Sequence, residues 1–291
     1  MVYVPYCTGD VYVGDTVQVY DDPDGALPPL VWHHNGARNT LAVVAWLRDN
    51  LPRATQLLTT GCSAGSIGAL AEYDLIRGHM APTRGYLIDD SGPAFAAPVG
   101  GDPAEHPSVP LHTHIRSAWG LDAGPGSPLP YLASRLPQLD VGDLGSIYAA
   151  LSAKYPADRM GQTHFWEDLN YSSYSYERFH DDIANAPDPA TKEQLIHERW
   201  YLDTENLIDA LGPLANFGYF LPRFRDLNES HCTTIVEFQN SDIQEDGLEL
   251  DDFVDDVLEG SGPVMEASEE DTVSDFQKPP NPLYLLLNEL I

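Results

Sequence analysis

Lysine is scarce in this chain, and positive charge as a whole is outnumbered. The 291 residues carry 15 lysines and arginines against 45 aspartates and glutamates, a formal net charge of −30. Such a surface repels phosphate backbones, which argues against nucleic-acid binding. Because salt screens the repulsion among acidic groups, the balance also suits a protein that works at high salt.

Cysteines are few, and apolar runs of membrane-spanning length are absent. The three cysteines, Cys7, Cys62 and Cys232, allow at most one disulfide and one free thiol, and Cys62 is expected to be a small packing residue. No run reaches the length that crosses a bilayer, and the first residues lack the basic and apolar regions of a signal peptide. Nothing in the pattern specifies an oligomeric state.

The histidines and acidic residues do not form a recognisable metal site. His106, His112 and His114 match no tight ligand spacing. Asp246-Gly247 lies in an acidic run but lacks the full spacing of a calcium loop. We therefore expect no metal and no cofactor.

Strand and helix patterns alternate from Leu30 to Ser91, in the order strand, helix, strand, helix, strand. This order favours a parallel sheet with crossover helices, and so an α/β fold. Val2–Val4 is typical of an interior strand. The Pro- and Gly-rich stretch 93–142 interrupts the alternation, and we expect it to form a lid or a substrate pocket over the sheet.

A Gly-x-Ser-x-Gly motif, Gly61 to Gly65, lies between a strand pattern and a helix pattern. Ser63 would occupy the sharp turn of a nucleophile elbow, with its hydroxyl exposed. The residues at positions 61 and 65 are expected to be small, because the strand and helix backbones nearly touch at such a turn. The N–H of Ala64 would lie at a helix N-terminus, where it can stabilise an oxyanion.

A serine nucleophile needs a histidine base and a carboxylate that orients the base. In α/β-hydrolase-like chains the order is serine, acid, histidine, with both partners after strand ends. Of ten histidines, His180 and His231 have suitable positions, and His231 is favoured because His180 follows Asp168 too closely. The strand-end carboxylates are Asp89, Asp90, Glu167 and Asp168. Asp168 satisfies the order, although a helix N-cap is its alternative role.

With these residues in view, the chain resembles the pectin acetylesterase and Notum family of carboxylesterases, especially its bacterial members. The closely matching segments are Val4–Val11 with Gly14-Asp15, His34–Asn39, Thr60–Gly65 and Asp89–Gly92. Phe165–Asp168, Ser230–Cys232 and the Gly247–Leu258 region match less closely.

The resemblance implies an α/β-hydrolase-like fold with a mostly parallel sheet and metal-free ester hydrolysis by Ser63, Asp168 and His231. The first matching segment lies well inside the relatives, which implies that N-terminal strands and a Gly-rich oxyanion turn are missing from this chain. Tyr171 stands where many relatives carry an amide side chain, so Glu167 remains an alternative acid. An extracellular or periplasmic location is also implied.

We therefore expect one α/β-hydrolase-like domain over 1–258, with the insertion at 93–142, and an acidic C-terminal tail over 259–291. The expected function is a serine carboxylesterase that acts on acyl esters, with acetyl expected, of a small molecule or a polysaccharide. The alternative is a hydrolase-like carbohydrate-binding protein that keeps the cleft but has weak or no catalysis.

Overall fold

The computed structural model describes residues 1–124, 126–225, 227–234, 242–243 and 247–270. Its strands are β1 (Thr16–Tyr20), β2 (Leu30–His34), β3 (Gln56–Cys62), β4 (Arg84–Asp90), β5 (Arg159–Thr163), β6 (Phe217–Leu221) and β7 (Glu266–Ser268). Its helices are α1 (Gly36–Asn50), α2 (Ala64–Met80), α3 (Val109–Ala118), α4 (Pro128–Arg135), α5 (Ile147–Lys154), α6 (Leu169–Tyr176), α7 (Asp181–Ala184), α8 (Pro189–Leu211) and α9 (Leu250–Glu259). Short 3-10 turns lie at Leu144–Ser146 and Leu227–Ser230.

A five-stranded parallel sheet forms the centre of the fold, in the order β3-β4-β5-β6-β7. Its register aligns the ends of the strands, since Cys62 pairs with Asp90 and Asp90 with Thr163. Residues that follow these strand ends therefore share one edge of the sheet. That edge is where an open α/β sheet binds its ligands.

Apolar side chains cover both faces of the sheet. On one face Leu70 and Tyr73 of α2, Tyr148 of α5 and Trp200 of α8 form a buried cluster. On the other face α9 contributes Phe253 and Val257, which pack against Ile88 and Phe220 of the strands. Burial on both faces explains why β4 and β6 are rich in apolar and aromatic residues.

The alternation of strands and helices from Leu30 to Ser91 is confirmed, but the expected place of its first strand in the parallel sheet and the strand expected at Val2–Val4 are wrong. β2 pairs antiparallel with β1 in a separate hairpin and does not join the parallel sheet. Its Leu30–Trp32 side chains are exposed, so it lacks the two covered faces of a parallel strand. Val2–Val4 is irregular and mostly exposed, because no neighbouring strand within the described residues pairs with it.

The two ends of the sheet were not predicted in detail. β7 lies inside the range 259–291, which was expected to be a C-terminal tail. Residues 271–291 lie outside the described residues, and so does Asp246 of the acidic run that was compared with a calcium loop. At the opposite edge, no strand in the described part of the chain pairs with the outer side of β3, and Leu58 there is 44% exposed.

Among the described helices, none has the length and apolar character to cross a membrane.

Candidate active site

Ser63 occupies a sharp turn between β3 and α2, as the motif predicts. Its φ of 56° and ψ of −122° lie in a region that non-glycine residues rarely adopt. A Cβ on Gly61 would fall 2.3 Å from the carbonyl carbon of Gly65, so strand and helix backbones do nearly touch. A Cβ on Gly65 would meet no atom within 4 Å. The close approach therefore requires glycine at position 61, whereas position 65 has room for at least one methyl group.

Asp168 and His231 lie in direct contact, although 63 residues separate them in the chain. Asp168 Oδ2 is 2.7 Å from His231 Nδ1, while Asp168 Oδ1 accepts a hydrogen bond of 2.8 Å from the Tyr171 amide. Asp168 is thus the N-cap of α6 and the partner of the histidine at once. Burial raises the pKa of Asp168, and its hydrogen bonds with His231 and the amides of α6 oppose that rise.

A disulfide joins Cys62 to Cys232, and its two Cα atoms are 5.6 Å apart. The expectation that Cys62 is only a packing residue is therefore wrong, because the fold brings the two sulfurs together across 170 residues. Each cysteine is the chain neighbour of a predicted catalytic residue, Ser63 or His231. Cys62, His231 and Cys232 also form the one group of potential metal ligands within the described ranges. Because both sulfurs are bonded to each other, no thiolate is available there for a metal.

His231 lies in the segment 227–234, here termed the histidine loop. Asn228, Glu229, Ser230 and Cys232 all have positive φ, between 51° and 66°. Local bonds close the turn: the His231 amide donates to Asn228 O at 2.9 Å, and the Asn228 amide side chain donates to His231 O at 2.6 Å. The loop therefore follows a left-handed path that its non-glycine residues do not favour.

The two alternative residues make other contacts. Glu167 accepts a hydrogen bond of 3.1 Å from the Tyr201 hydroxyl and lies 3.3 Å from Arg223 Nε. His180 Nε2 lies 3.0 Å from the carbonyl oxygen of Pro107. Of the candidate acids and bases, Asp168 and His231 are the pair that the fold brings together. The catalytic roles of Ser63, Asp168 and His231 stay predictions.

A cavity of about 470 Å³ opens beside the elbow. Ser63 and Ala64 form part of its wall, and Ala64 is the first residue of α2, so its N–H has no carbonyl partner within the helix. The remaining wall is largely apolar. It includes Leu41, Ile67, Leu70, Leu111, Trp119 and Ile147. Leu111 and Trp119 come from the insertion at 93–142. The site thus combines a half-buried serine on the cavity wall, the first amide of a helix and an apolar chamber.

Sequence reasoning missed what Asp90 and Ser91 do at this edge. Asp90 was identified only as a strand-end carboxylate, but its oxygens accept hydrogen bonds from Thr233 and Thr234 of the histidine loop. Ser91 Oγ accepts another from the Cys232 amide. The signal that could have pointed to them is the Asp89–Gly92 segment, which carries part of the family resemblance.

A parallel sheet covered by helices, with a nucleophile elbow at its carboxyl edge, defines an α/β-hydrolase-like protein. The family model described as Pectinacetylesterase (PAE) matches residues 1–96, a span that contains Ser63 but neither Asp168 nor His231. No curated protein sequence matches the chain. The resemblance in the first third of the chain is thus confirmed by the family model.

Two of the solved structures that match the chain are crystal forms of one protein. One is the Wnt deacylase Notum from Drosophila in crystal form II, with a TM-score of 0.52 and 18% identity, covering 86% of this chain. Crystal form I of the same protein has a TM-score of 0.40 at 18% identity, and covers 75% of this chain and 57% of that one. The chain spans 65% of the length of the form II Notum chain. The fold is therefore a Notum-like α/β-hydrolase fold.

Proposed function

We propose that this protein is a serine carboxylesterase with Ser63 as nucleophile, His231 as base and Asp168 as the orienting acid. The observation that carries the proposal is the 2.7 Å contact between Asp168 and His231 on the edge of the sheet that also holds the elbow. The family match of residues 1–96 and the Notum-like fold support an esterase or deacylase.

The proposed reaction follows from the roles of these groups. Ser63 Oγ attacks the ester carbonyl carbon, its proton passes to His231 Nε2, and the oxyanion faces the Ala64 N–H. The tetrahedral intermediate collapses to an acyl-serine as His231 returns the proton to the leaving alcohol. Water then attacks the acyl-serine with His231 again as base, which releases the carboxylic acid and restores Ser63. Asp168 holds Nδ1 protonated, so that Nε2 is free to accept.

The acyl group is proposed to lie in the apolar cavity, which exceeds what an acetyl group needs. Residues of α2 from Ala64 to Leu75 line it, a length of roughly 16 Å at the rise of an α-helix. Burial, with the nearby charges of Asp10 and Asp74, raises the pKa of Glu72 to about 8, so the Glu72 side chain in this wall is uncharged at pH 7. Acyl esters longer than acetyl are therefore included among the proposed substrates, with a polysaccharide or a small molecule as the alcohol.

The decisive experiment is hydrolysis of p-nitrophenyl esters from acetate to octanoate by the protein and by Ser63→Ala. We expect turnover that Ser63→Ala abolishes, and a kcat/KM that rises from acetate to longer chains. Equal rates for the two proteins would overturn the esterase proposal. A steady fall of kcat/KM with chain length would instead indicate that acetyl is the acyl group of the substrate, as first expected.

One observation favours the second candidate, a silent carbohydrate-binding protein. Within the described residues the Ser63 hydroxyl makes no hydrogen bond, so it is not joined to His231 in this structure. Catalytic hydrogen bonds often form only when substrate binds. A fluorophosphonate probe separates the two candidates: labelling at Ser63 supports the esterase. A folded protein that binds oligosaccharide without labelling supports the silent form.

A further inference from the structure

We propose that Asp90, with its neighbour Ser91, is a positioning residue that fastens the histidine loop to the nucleophile elbow. Asp90 is the last residue of β4, which pairs with the elbow strand β3. Its side chain is fully buried. It would act through His231 and Ser63 without touching substrate. This inference rests on the esterase function proposed above.

The side chain of Asp90 binds the two residues that follow Cys232. Oδ1 accepts from Thr233 N at 2.8 Å and from Thr233 Oγ1 at 3.0 Å. Oδ2 accepts from Thr234 N at 2.9 Å and from Thr234 Oγ1 at 2.6 Å. Ser91 Oγ donates to Asp90 Oδ1 at 3.1 Å and accepts from the Cys232 amide at 2.9 Å. The amides of three consecutive residues after His231 are thus held by the end of β4.

The backbone of the same residue holds the nucleophile. The carbonyl oxygen of Asp90 accepts a hydrogen bond of 2.9 Å from the Ser63 amide. A Cβ on Gly92, two residues on, would fall 2.5 Å from Ser63 O, so this segment also packs directly against the elbow. One residue therefore contacts both parts of the chain that must meet for proton transfer.

The histidine loop needs such support from outside. Its left-handed residues include Glu229 and Ser230, which do not adopt this conformation by preference. Strained backbone of this kind persists where the surrounding structure constrains it strongly. The disulfide at Cys232 and the Asp90 carboxylate are two such constraints.

Asp89 provides a matched control, because successive side chains of a strand point to opposite faces. It is as buried as Asp90 but contacts Ser66 and Tyr148, on the side of α2 and α5. Desolvation by burial, with the charge of Asp90, raises the pKa of Asp89 well above its usual range. An amide at position 89 therefore replaces a carboxyl group whose ionisation is disfavoured by burial, and does so away from the histidine loop.

The test compares Asp90→Asn with Asp89→Asn. An asparagine places an NH₂ group against one of the two loop amides, a donor facing a donor. We expect kcat for a p-nitrophenyl ester to fall about 100-fold in Asp90→Asn, the size of effect produced by a misplacement of about 1 Å, with KM little changed. Amide hydrogen exchange at Thr233 and Thr234 should speed up in the same variant. Asp89→Asn should keep the kcat and the exchange rates of the parent protein.

Three outcomes overturn the inference: kcat of Asp90→Asn equal to that of Asp89→Asn, loss confined to KM, or unchanged exchange at the two threonine amides. Should Asp90→Asn fail to fold, Ser91→Ala removes the two hydrogen bonds of Ser91 Oγ and Thr234→Val removes the bond from Thr234 Oγ1 to Asp90, and normal kcat in both would overturn the inference equally. Failure of the esterase proposal is visible separately, as absence of turnover and of fluorophosphonate labelling in the parent protein. The exchange measurement still decides whether Asp90 fastens the loop.

Discussion

Replacing Asp168 with asparagine separates its two contacts. Asparagine is as good an N-cap as aspartate, so its carbonyl oxygen can keep the bond from the Tyr171 amide. Its NH₂ group then faces His231 Nδ1 and donates to it. This pairing favours the tautomer that carries hydrogen on Nε2, which cannot accept the proton of Ser63. The variant therefore keeps the helix cap and loses the orientation of the base.

For Asp168→Asn, the expected loss of transition-state stabilisation exceeds the expected loss of folding free energy by several kcal/mol. In the serine-hydrolase template the same change lowers kcat about 10⁴-fold. At about 1.36 kcal/mol for each tenfold, this is roughly 5 kcal/mol of transition-state stabilisation. Asp168→Ala additionally loses the cap, worth about 1 kcal/mol, and leaves a buried Nδ1 unpaired, at about 1–3 kcal/mol. Asp168→Asn should therefore abolish activity with little loss of folding stability. Asp168→Ala should lose both activity and folding stability.

The assay combines hydrolysis of p-nitrophenyl esters with urea denaturation of the same samples. Glu167→Gln is the matched control, because Glu167 adjoins Asp168 but contacts Tyr201 and Arg223 instead of His231. We expect near-normal kcat in the control and a loss of about four orders of magnitude in Asp168→Asn. Retention of kcat within tenfold in Asp168→Asn, or an equal loss in Glu167→Gln, would refute the role assigned to Asp168.

Three further predictions concern stability. Gly61→Ala should lower Tm and activity because its Cβ would lie 2.3 Å from Gly65 C, whereas Gly65→Ala should unfold like the parent protein; equal Tm losses would contradict this. Burial raises the pKa of Asp203 from 3.8 to about 7, so between these pH values the folded state keeps a proton that the unfolded state has released, and stability should fall as pH rises through that window. Asp203→Asn should flatten this slope in urea titrations at several pH values, and an unchanged slope would count against the assignment. Because the net charge is −30, Tm should rise from low to molar salt, and a fall would end the high-salt hypothesis.

The elbow could be predicted from sequence because its physics is local. The strand pattern, the glycine at position 61 and the helix pattern lie within a few residues of Ser63 and constrain one another directly. The chain order of acid and histidine then pointed to Asp168 and His231, since parallel strands align the loops that follow them. The N-cap and the histidine partner were treated as alternatives for Asp168, but its two carboxylate oxygens allow both.

The same reasoning could not predict which strands pair with each other or which cysteines form the disulfide. β2 has a strand pattern whether it joins the parallel sheet or a hairpin, and only the position of β1 decides between them. The link between Cys62 and Cys232 likewise depends on where the histidine loop lies, not on any residue near either cysteine. The three-residue β7 is too short to carry a periodic signal and forms because β6 presents a free edge.

The conformation of the histidine loop is the clearest case of tertiary control over local preference. Three non-glycine residues other than asparagine, Glu229, Ser230 and Cys232, have positive φ there. At about 1–2 kcal/mol each, the left-handed backbone costs roughly 3–6 kcal/mol. The two amide bonds to the Asp90 carboxylate, at about 1.5–3 kcal/mol each for a charged acceptor, offset a cost of the same size. The loop around His231 is therefore held in this path by contacts with β4, far from it in the chain, which is why no local pattern in 227–234 predicts it.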